Sequence, residues 1–200
     1  MDKDLREVIV KFGYPPLWTR PNSFETLIHF ILEQQVSLAS ARAALEKLRE
    51  RMKRITPEQL LQLSDEELRA CYFSRQKIIY VKSLAKSITE RKMDLAEMET
   101  LPDTLVREKL IALKGIGNWT IDVYLMFVLH HADIFPVGDL AVRNSVIRVK
   151  NLPADISKEQ ILNIASIWKP YRTVAAMILW HCYLKTRSTK PGKADINEPV

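Results

Sequence analysis

Glycine is scarce in this chain, and that scarcity most limits the folds available to it. Only five of the 200 residues are glycine, which leaves few positions for the tight turns of a β-hairpin protein. Apolar residues instead recur with the period of a helix, since one continuous stripe is formed by Phe24, Leu27, Ile28, Ile31 and Leu32. The sequence therefore predicts an all-α fold with short connections.

Helix-start signals divide the remaining apolar segments into about ten helices. Thr56, Pro57 and Gln59 predict a capped helix start, and Ser64 with Glu67 repeats that signature. Further helices are expected at residues 43–48, 78–88, 103–113, 119–129, 140–149, 158–167 and 172–184. The chain after Thr186 is rich in polar residues, Pro and Gly, and its last segment, 188–200, is expected to be a flexible tail.

The charge of the chain favours a polyanionic partner. The formal net charge is +6 and the sequence pI is about 9.3, which is typical of proteins that bind nucleic acid or an acidic membrane surface. The longest apolar runs, such as 121–129, are too short to span a bilayer. We therefore expect no membrane association.

The cysteine pattern argues against a metal centre and against a disulfide framework. Cys71 and Cys182 lie far apart, and neither belongs to a CxxC pair or a Cys/His cluster. The charged N-terminus has no apolar core of a signal peptide. We expect no metal and no cofactor, and an intracellular protein of the cytoplasm and nucleoid.

A glycine-rich turn between two apolar helices is the first candidate site. The string Leu113-Lys-Gly-Ile-Gly-Asn-Trp-Thr120 places two glycines where the backbone can approach another group closely. The helix that follows presents unpaired N–H groups and the positive end of its dipole, which suits a phosphate. The predicted phosphate contacts are Lys114, Gly115, Gly117, Asn118 and Thr120. A plain helical corner that uses glycine to end the first helix is the alternative.

An aspartate at a predicted helix start is the second candidate site. Asp139 follows Gly138 directly, and its simplest role is an N-cap, worth about 1 kcal/mol. The same position favours the charged carboxylate. A fixed carboxylate can also stabilise an oxocarbenium-like sugar when a glycosidic bond breaks. Both roles can hold together, and Asp133 is a weaker competitor for the second one.

The order of these features resembles a known family of DNA repair enzymes. A helix, the string Leu-x-Gly-Ile-Gly-x-x-Thr and a second helix are similar to the helix-hairpin-helix motif of DNA glycosylases. The resemblance runs from about residue 24 to residue 184, and its closest branch looks like 3-methyladenine DNA glycosylase II. Three strings carry it: Gln34-Gln-Val-Ser37, Gly115-Ile-Gly-Asn-Trp-Thr120, and Trp168-Lys-Pro-Tyr-Arg172 followed by Trp180.

The resemblance implies a role for each candidate residue. Asp139 is expected to be catalytic, and Gln35 to fill the gap that a flipped base leaves in duplex DNA. Bifunctional relatives carry a lysine two residues after the second hairpin glycine, whereas this chain has Trp119, so no strand cleavage is expected. Trp119, Trp180 and Tyr124 are expected to line the base pocket, although each also fits a core position. Hairpins of the family often hold a monovalent cation on backbone carbonyls.

These features together predict a two-lobed all-α glycosylase fold with a central cleft. Residues 24–129 should form a helical bundle that ends in the hairpin, and residues 1–23 with 130–187 should form the second lobe. The expected reaction is hydrolysis of alkylated purines from double-stranded DNA by a monomer. Two alternatives stay open: a glycosylase for oxidised or mispaired bases, and a non-catalytic module that binds damaged DNA.

Overall fold

The computed structural model describes residues 2–188, and over that part of the chain it contains helices and loops but no strand. The all-α prediction is confirmed. The described residues form twelve α-helices and one short 3-10 helix. In chain order they are α1 Lys3–Phe12, α2 Phe24–Glu33, α3 Leu38–Arg51, α4 Pro57–Gln62, α5 Asp65–Ala70, α6 Arg75–Thr89, α7 Leu95–Met98, α8 Asp103–Ile111, α9 Asn118–Phe127, α10 Leu140–Val149, α11 Lys158–Ala165, the 3-10 helix Ser166–Trp168, and α12 Arg172–Ser188.

Short polar side chains explain where most of these helices begin. Each accepts a hydrogen bond from a backbone N–H of the first turn, which stabilises the helix by about 1 kcal/mol. The N-cap residues that do so are Asp2, Ser23, Ser37, Thr56, Ser64, Ser74, Asp94, Asp139 and Ser157. The predicted caps at Thr56 and Ser64 are confirmed, and Ser64 forms a full capping box with Glu67.

One compact unit, Arg20–Tyr124, is organised around α2. Most side chains of α2 are buried, among them Phe24, Leu27, Ile28, Phe30, Ile31 and Leu32. Helices α3 and α6 pack against α2, and α4 packs against α6. Because burying one large apolar side chain contributes about 1.5–3 kcal/mol, α2 anchors this unit and fixes the start of the loop that follows it.

Within the described residues, the other unit joins residues 2–19 with residues 125–188. Helix α12 is its centre and packs against both α10 and α1. Lys150, which follows α10, donates to the carboxylates of Asp2 and Asp4 at 2.6 and 2.7 Å. These ion pairs dock the start of α1 on the end of α10.

Several boundaries differ from those expected. The sequence analysis missed helix α1, although Leu5, Val8, Ile9 and Phe12 recur there at helical spacing. Its docking by Lys150 is a contact that a local pattern cannot contain. Helix α7 is a single turn and was missed for its shortness. Helix α9 ends at Phe127 instead of Leu129, and the predicted helix 158–167 ends in a 3-10 turn.

The two units also begin and end at other residues than expected. Helix α9 contains one of the two boundaries, between Tyr124 and Leu125, whereas the sequence analysis placed that boundary after Leu129. Helix α12 extends to Ser188, so the segment after Thr186 starts as helix. The remainder of the predicted tail lies outside the described residues.

Candidate functional site

The glycine-rich turn connects α8 to α9 and has the form of a helical hairpin. The Ile116 N–H donates to the Leu113 carbonyl at 3.1 Å, and the Ile121 N–H donates to the Gly117 carbonyl at 3.1 Å. Gly115 adopts a φ of +87°, in the region that favours glycine. The aromatic ring of Tyr80 packs where a Cβ at Gly115 would stand. Glycine is therefore required at position 115 for two separate reasons.

The tip of the hairpin combines exposed polar residues with one apolar anchor. Ile116 is buried, whereas Lys114, Gly117 and Asn118 are exposed at the start of α9. The first N–H groups of a helix have no acceptor inside it, and they carry the positive end of the helix dipole. The arrangement suits an anion, and Lys114 adds a full positive charge to it.

Gln34, which belongs to the same unit, is hydrogen-bonded to the hairpin. The side-chain amide nitrogen of Gln34 donates to the Gly115 carbonyl at 2.9 Å and to the Thr120 hydroxyl at 3.0 Å. Thr120 is only 1% exposed, so it offers almost no surface to a phosphate. The Thr120 side chain therefore supports the turn, and the phosphate contact of Thr120 stays a prediction.

Gln35, the predicted wedge residue, lies in the loop between α2 and α3. Its side chain is exposed, and its φ of 59° is left-handed. A non-glycine residue is strained in that conformation and stays there only where its neighbours hold it. The structure thus presents a long polar side chain to solvent from a fixed backbone position.

Asp139, the predicted catalytic residue, caps α10. Its Oδ1 accepts hydrogen bonds from the N–H groups of Ala141 and Val142 at 2.8 and 2.9 Å, and the residue is 8% exposed. The Asp139 N–H donates to the Pro136 carbonyl at 2.8 Å, which closes the turn before the helix. The predicted N-cap role is confirmed. Cap and turn together fix the position of the carboxylate.

The loop that leads to Asp139 is held by the first turn of α12. The Arg172 guanidinium donates to both carboxylate oxygens of Asp133, at 2.7 and 2.9 Å. The Thr173 hydroxyl donates to the His131 carbonyl at 2.6 Å, and the Thr173 N–H donates to the Ala132 carbonyl at 3.0 Å. The ion pair with Arg172 holds the pKa of Asp133 below its ordinary value. Asp133 is thereby committed to a structural pair, which separates it from Asp139.

Trp168 belongs to the third string that carries the family resemblance, Trp168-Lys-Pro-Tyr-Arg172. It supports the same loop from another side. Its ring lies 5.7 Å from the ring of Phe135, the residue that opens the turn before Asp139. Its indole N–H donates to the Asp2 carboxylate at 3.0 Å. Trp168 and Arg172 therefore contact the same loop two residues apart, at Phe135 and Asp133, a role that the string itself did not reveal.

The predicted base-pocket residues lie in three different environments. Trp119 is partly exposed in the first turn of α9. Trp180 is 4% exposed and its ring centroid lies 5.3 Å from that of Phe127, in a tilted stack. For both tryptophans the pocket role stays a prediction.

Tyr124 has the surroundings of a core residue. It has no exposed surface, its hydroxyl donates to the Asn22 side chain at 2.7 Å, and burial raises its pKa. The predicted pocket role of Tyr124 therefore finds no support in the structure.

A buried ionisable cluster at the end of α2 was missed by the sequence analysis. Arg20 donates to the Glu33 carboxylate at 2.8 Å, and the His29 ring lies 3.3 Å from the same oxygen. Burial raises the pKa of Glu33 to about 7 and lowers that of His29 to about 3. The only signal in the sequence was a charged residue within an apolar helix.

The described residues contain neither a candidate metal centre nor a candidate membrane span. Between residues 2 and 188, the His, Cys, Asp and Glu side chains form no group of three or more that could hold a metal ion. Over the same residues no helix combines the length and apolarity needed to cross a bilayer.

Two proteins of one yeast, one similar in sequence and one in structure, are described as 3-methyladenine DNA glycosylases. A DNA-3-methyladenine glycosylase 1 of Schizosaccharomyces pombe is 33% identical over 172 residues, which are 84% of this chain and 75% of that protein. A solved 3-methyladenine DNA glycosylase of the same yeast, in complex with abasic DNA, has a TM-score of 0.84 at 30% identity and covers 97% of this chain and 96% of its own.

A bacterial structure and a family model agree with these matches. The DNA-3-methyladenine glycosidase of Bacillus halodurans has a TM-score of 0.80 at 32% identity, over 94% of this chain and 88% of its own. A model of the HhH-GPD superfamily of base excision DNA repair proteins matches residues 28–170. That segment includes the hairpin and Asp139. The chain therefore belongs to the HhH-GPD superfamily of base excision DNA repair proteins.

Proposed function

We propose that this protein is a monofunctional DNA glycosylase that hydrolyses the N-glycosidic bond of alkylated purines in duplex DNA. The observation that carries the proposal is Asp139, a carboxylate fixed by two N–H groups at the start of α10, within the segment that matches the family. The names of the similar proteins, which are 3-methyladenine DNA glycosylases, point to the same substrate class.

The proposed chemistry needs a fixed negative charge more than a strong acid. As the bond between the purine nitrogen and the sugar C1′ breaks, its electron pair leaves with the base and the sugar acquires oxocarbenium character. The Asp139 carboxylate stabilises that positive charge. Water then adds to C1′ and loses a proton to solvent, which leaves an abasic site. Because an alkylated purine is already cationic, it departs as a neutral base without further acid catalysis.

Trp119 supports hydrolysis over strand cleavage. A lyase step requires an amine that attacks C1′ and forms a Schiff base with the sugar. The position that carries this lysine in bifunctional relatives is Trp119 here. In the proposed reaction the released products are therefore the free base and intact abasic DNA.

Aromatic side chains give a physical basis for preferring cationic bases. A positively charged ring over an aromatic face gains about 0.5–2 kcal/mol. We assign this role to Trp180 and Trp119, of which Trp119 is the more exposed. An uncharged oxidised base would lose this attraction and would also be a poorer leaving group.

The hairpin is proposed to bind the DNA backbone. Lys114, Gly115, Gly117 and Asn118 would hold one phosphate at the start of α9, which fixes register without reading sequence. Gln35 would fill the gap left by the flipped base. The same proposal has three further parts. The hairpin carbonyls bind a monovalent cation, the protein acts as a monomer, and it acts on DNA in the cytoplasm.

The proposal is tested by incubating the protein with methylated duplex DNA and measuring the free bases released. Wild type is expected to release 3-methyladenine and 7-methylguanine, and Asp139→Asn to lower that release by about 100-fold or more. Asparagine caps a helix as well as aspartate does, so the variant should keep its fold. Asp94→Asn, which changes the N-cap of α7 in the same way, is the matched control.

Three outcomes would contradict the proposal. Preferred release of oxidised or mismatched bases would show that these bases, and not alkylated purines, are the substrates. Tight binding of abasic DNA with no base released would make the chain a binding module. Full activity of Asp139→Asn would remove Asp139 from the reaction.

A further inference from the structure

Gln34 uses both of its donors on the hairpin. A side-chain amide nitrogen carries two N–H bonds, and here one is directed to the Gly115 carbonyl at 2.9 Å and the other to the Thr120 hydroxyl at 3.0 Å. One acceptor, the Gly115 carbonyl, lies within the turn, and the other, the Thr120 hydroxyl, lies in the first turn of α9. A single side chain thus spans the hairpin.

The acceptors themselves are held in place. Gly115 is fixed by its left-handed φ and by the ring of Tyr80, and Thr120 is 1% exposed. Gln76 in turn donates to the Tyr80 hydroxyl. The hairpin is therefore a fixed support for Gln34. The two acceptors that Gln34 contacts lie 81 and 86 residues from it in the sequence.

The residue after Gln34 is the strained one. Gln35 adopts a φ of 59° and is exposed. On its other side the chain is fixed again, because Ser37 caps α3 by accepting from the Ser40 N–H at 3.1 Å. A left-handed glutamine persists only between such fixed points, and Gln34 supplies one of them.

We propose that Gln34 is a positioning residue that holds the wedge side chain of Gln35 in register with the phosphate-binding hairpin. The inference rests on the proposed function, since it assigns Gln35 to the gap in the base stack. Gln34 itself touches no base. It transmits the position of the bound phosphate to the side chain that enters the stack.

The test uses binding of DNA that contains no base to excise. The probe is a duplex with a tetrahydrofuran abasic residue and 2-aminopurine opposite it, so that a side chain entering the gap changes the fluorescence. Gln34→Met, which keeps the shape and removes both donors, is expected to reduce that change by about fivefold or more. Its dissociation constant for undamaged duplex should stay within about twofold of wild type. Gln62→Met, an exposed glutamine of α4, is the matched control.

A double-mutant cycle separates positioning from general support of the fold. If Gln34 acts through Gln35, the double variant Gln34→Met/Gln35→Ala is no worse than Gln35→Ala alone, within about twofold. Gln34→Glu, an isostere without the two N–H donors, is expected to repeat the result of Gln34→Met and serves if the methionine variant does not fold. Additive losses in the cycle, or an unchanged fluorescence response in either Gln34 variant, would overturn the inference.

The same experiment distinguishes this inference from the proposed function. A wild type that gives the fluorescence change but releases no methylated base contradicts the glycosylase and leaves the role of Gln34 intact. A wild type that releases methylated bases but gives no fluorescence change overturns the role of Gln34 and leaves the glycosylase intact.

Discussion

At the scale of single residues, Gly115 carries more structural constraint than any side chain of the hairpin. Alanine at this position would be strained by the φ of +87° and would overlap the ring of Tyr80. We expect Gly115→Ala to lower the free energy of unfolding by about 2–4 kcal/mol. Urea unfolding followed by circular dichroism measures the loss.

Gly117 is the control for that substitution. A Cβ at Gly117 would meet no heavy atom within 4 Å, so Gly117→Ala should cost about 1 kcal/mol or less. Equal losses in the two variants would show that the left-handed turn and the Tyr80 contact do not limit position 115.

Some residues of the candidate site could be predicted from their local sequence, and others could not. Asp139 and the two hairpin glycines were predicted because their local strings are specific. The burial of the Thr120 and Tyr124 side chains was not predicted, because a local sequence string does not show which side chains are buried. The role of Gln34 depends on acceptors more than 80 residues away, a separation that no local pattern contains.

At the scale of elements, the first turn of α12 fixes the loop before α10. Removing the Asp133 carboxylate leaves the partly buried Arg172 without its bidentate partner. We expect Asp133→Ala to lower the free energy of unfolding by roughly 1–3 kcal/mol and the kcat of base release by roughly tenfold, because the loop carries Asp139. Unfolding in urea and single-turnover release measure the two effects.

Asp155→Ala, which removes an exposed aspartate from the loop before α11, controls for the loss of charge. If Asp133→Ala were destabilised yet released bases at the wild-type rate, the ion pair would serve the fold alone. In our prediction, the Asp133–Arg172 ion pair affects base release because it positions the loop that carries Asp139, and not because it stabilises the fold.

Most helices could be predicted because a buried face repeats in the sequence of each one. The stripe of α2, the caps of α4 and α5, and the exact span of α10 were all available from local strings. Helix α1 was missed although Leu5, Val8, Ile9 and Phe12 form a stripe at helical spacing, whereas its docking on Lys150 and α12 lies outside any local string. Periodicity can predict such a helix but not the distant partners that hold it.

At the scale of the whole molecule, one buried carboxyl makes the stability depend on pH. The pKa of Glu33 is raised from 4.5 to about 7 by burial, so the folded chain binds an extra proton between those values. Through Glu33 alone, stability should therefore fall by about 3 kcal/mol as the pH rises through this range. His29, whose pKa is lowered from 6.5 to about 3, acts in the opposite sense, because the unfolded chain binds a proton at His29 below about pH 6.5 and the folded chain does not. The loss through Glu33 therefore stands alone only above about pH 6.5.

Glu33→Gln isolates this contribution. Between about pH 6 and about pH 8, wild type should lose about 1 kcal/mol more stability than the variant does. Urea unfolding at the two pH values gives the difference, and Glu66→Gln, with a largely exposed side chain, should behave as wild type. A wild type and a Glu33→Gln protein with the same pH dependence would show that Glu33 stays ionised throughout.

The discontinuous unit has a consequence for the order of folding during synthesis. Arg20–Tyr124 leaves the ribosome as one uninterrupted segment and can fold as soon as it is complete. Helix α1 is made before this segment, yet its partners α10 and α12 are made after it. The α1 segment therefore stays undocked until α12 has emerged. A fusion partner that sequesters α1 would interfere with the last step of folding, although α1 lies before the segment that can fold first.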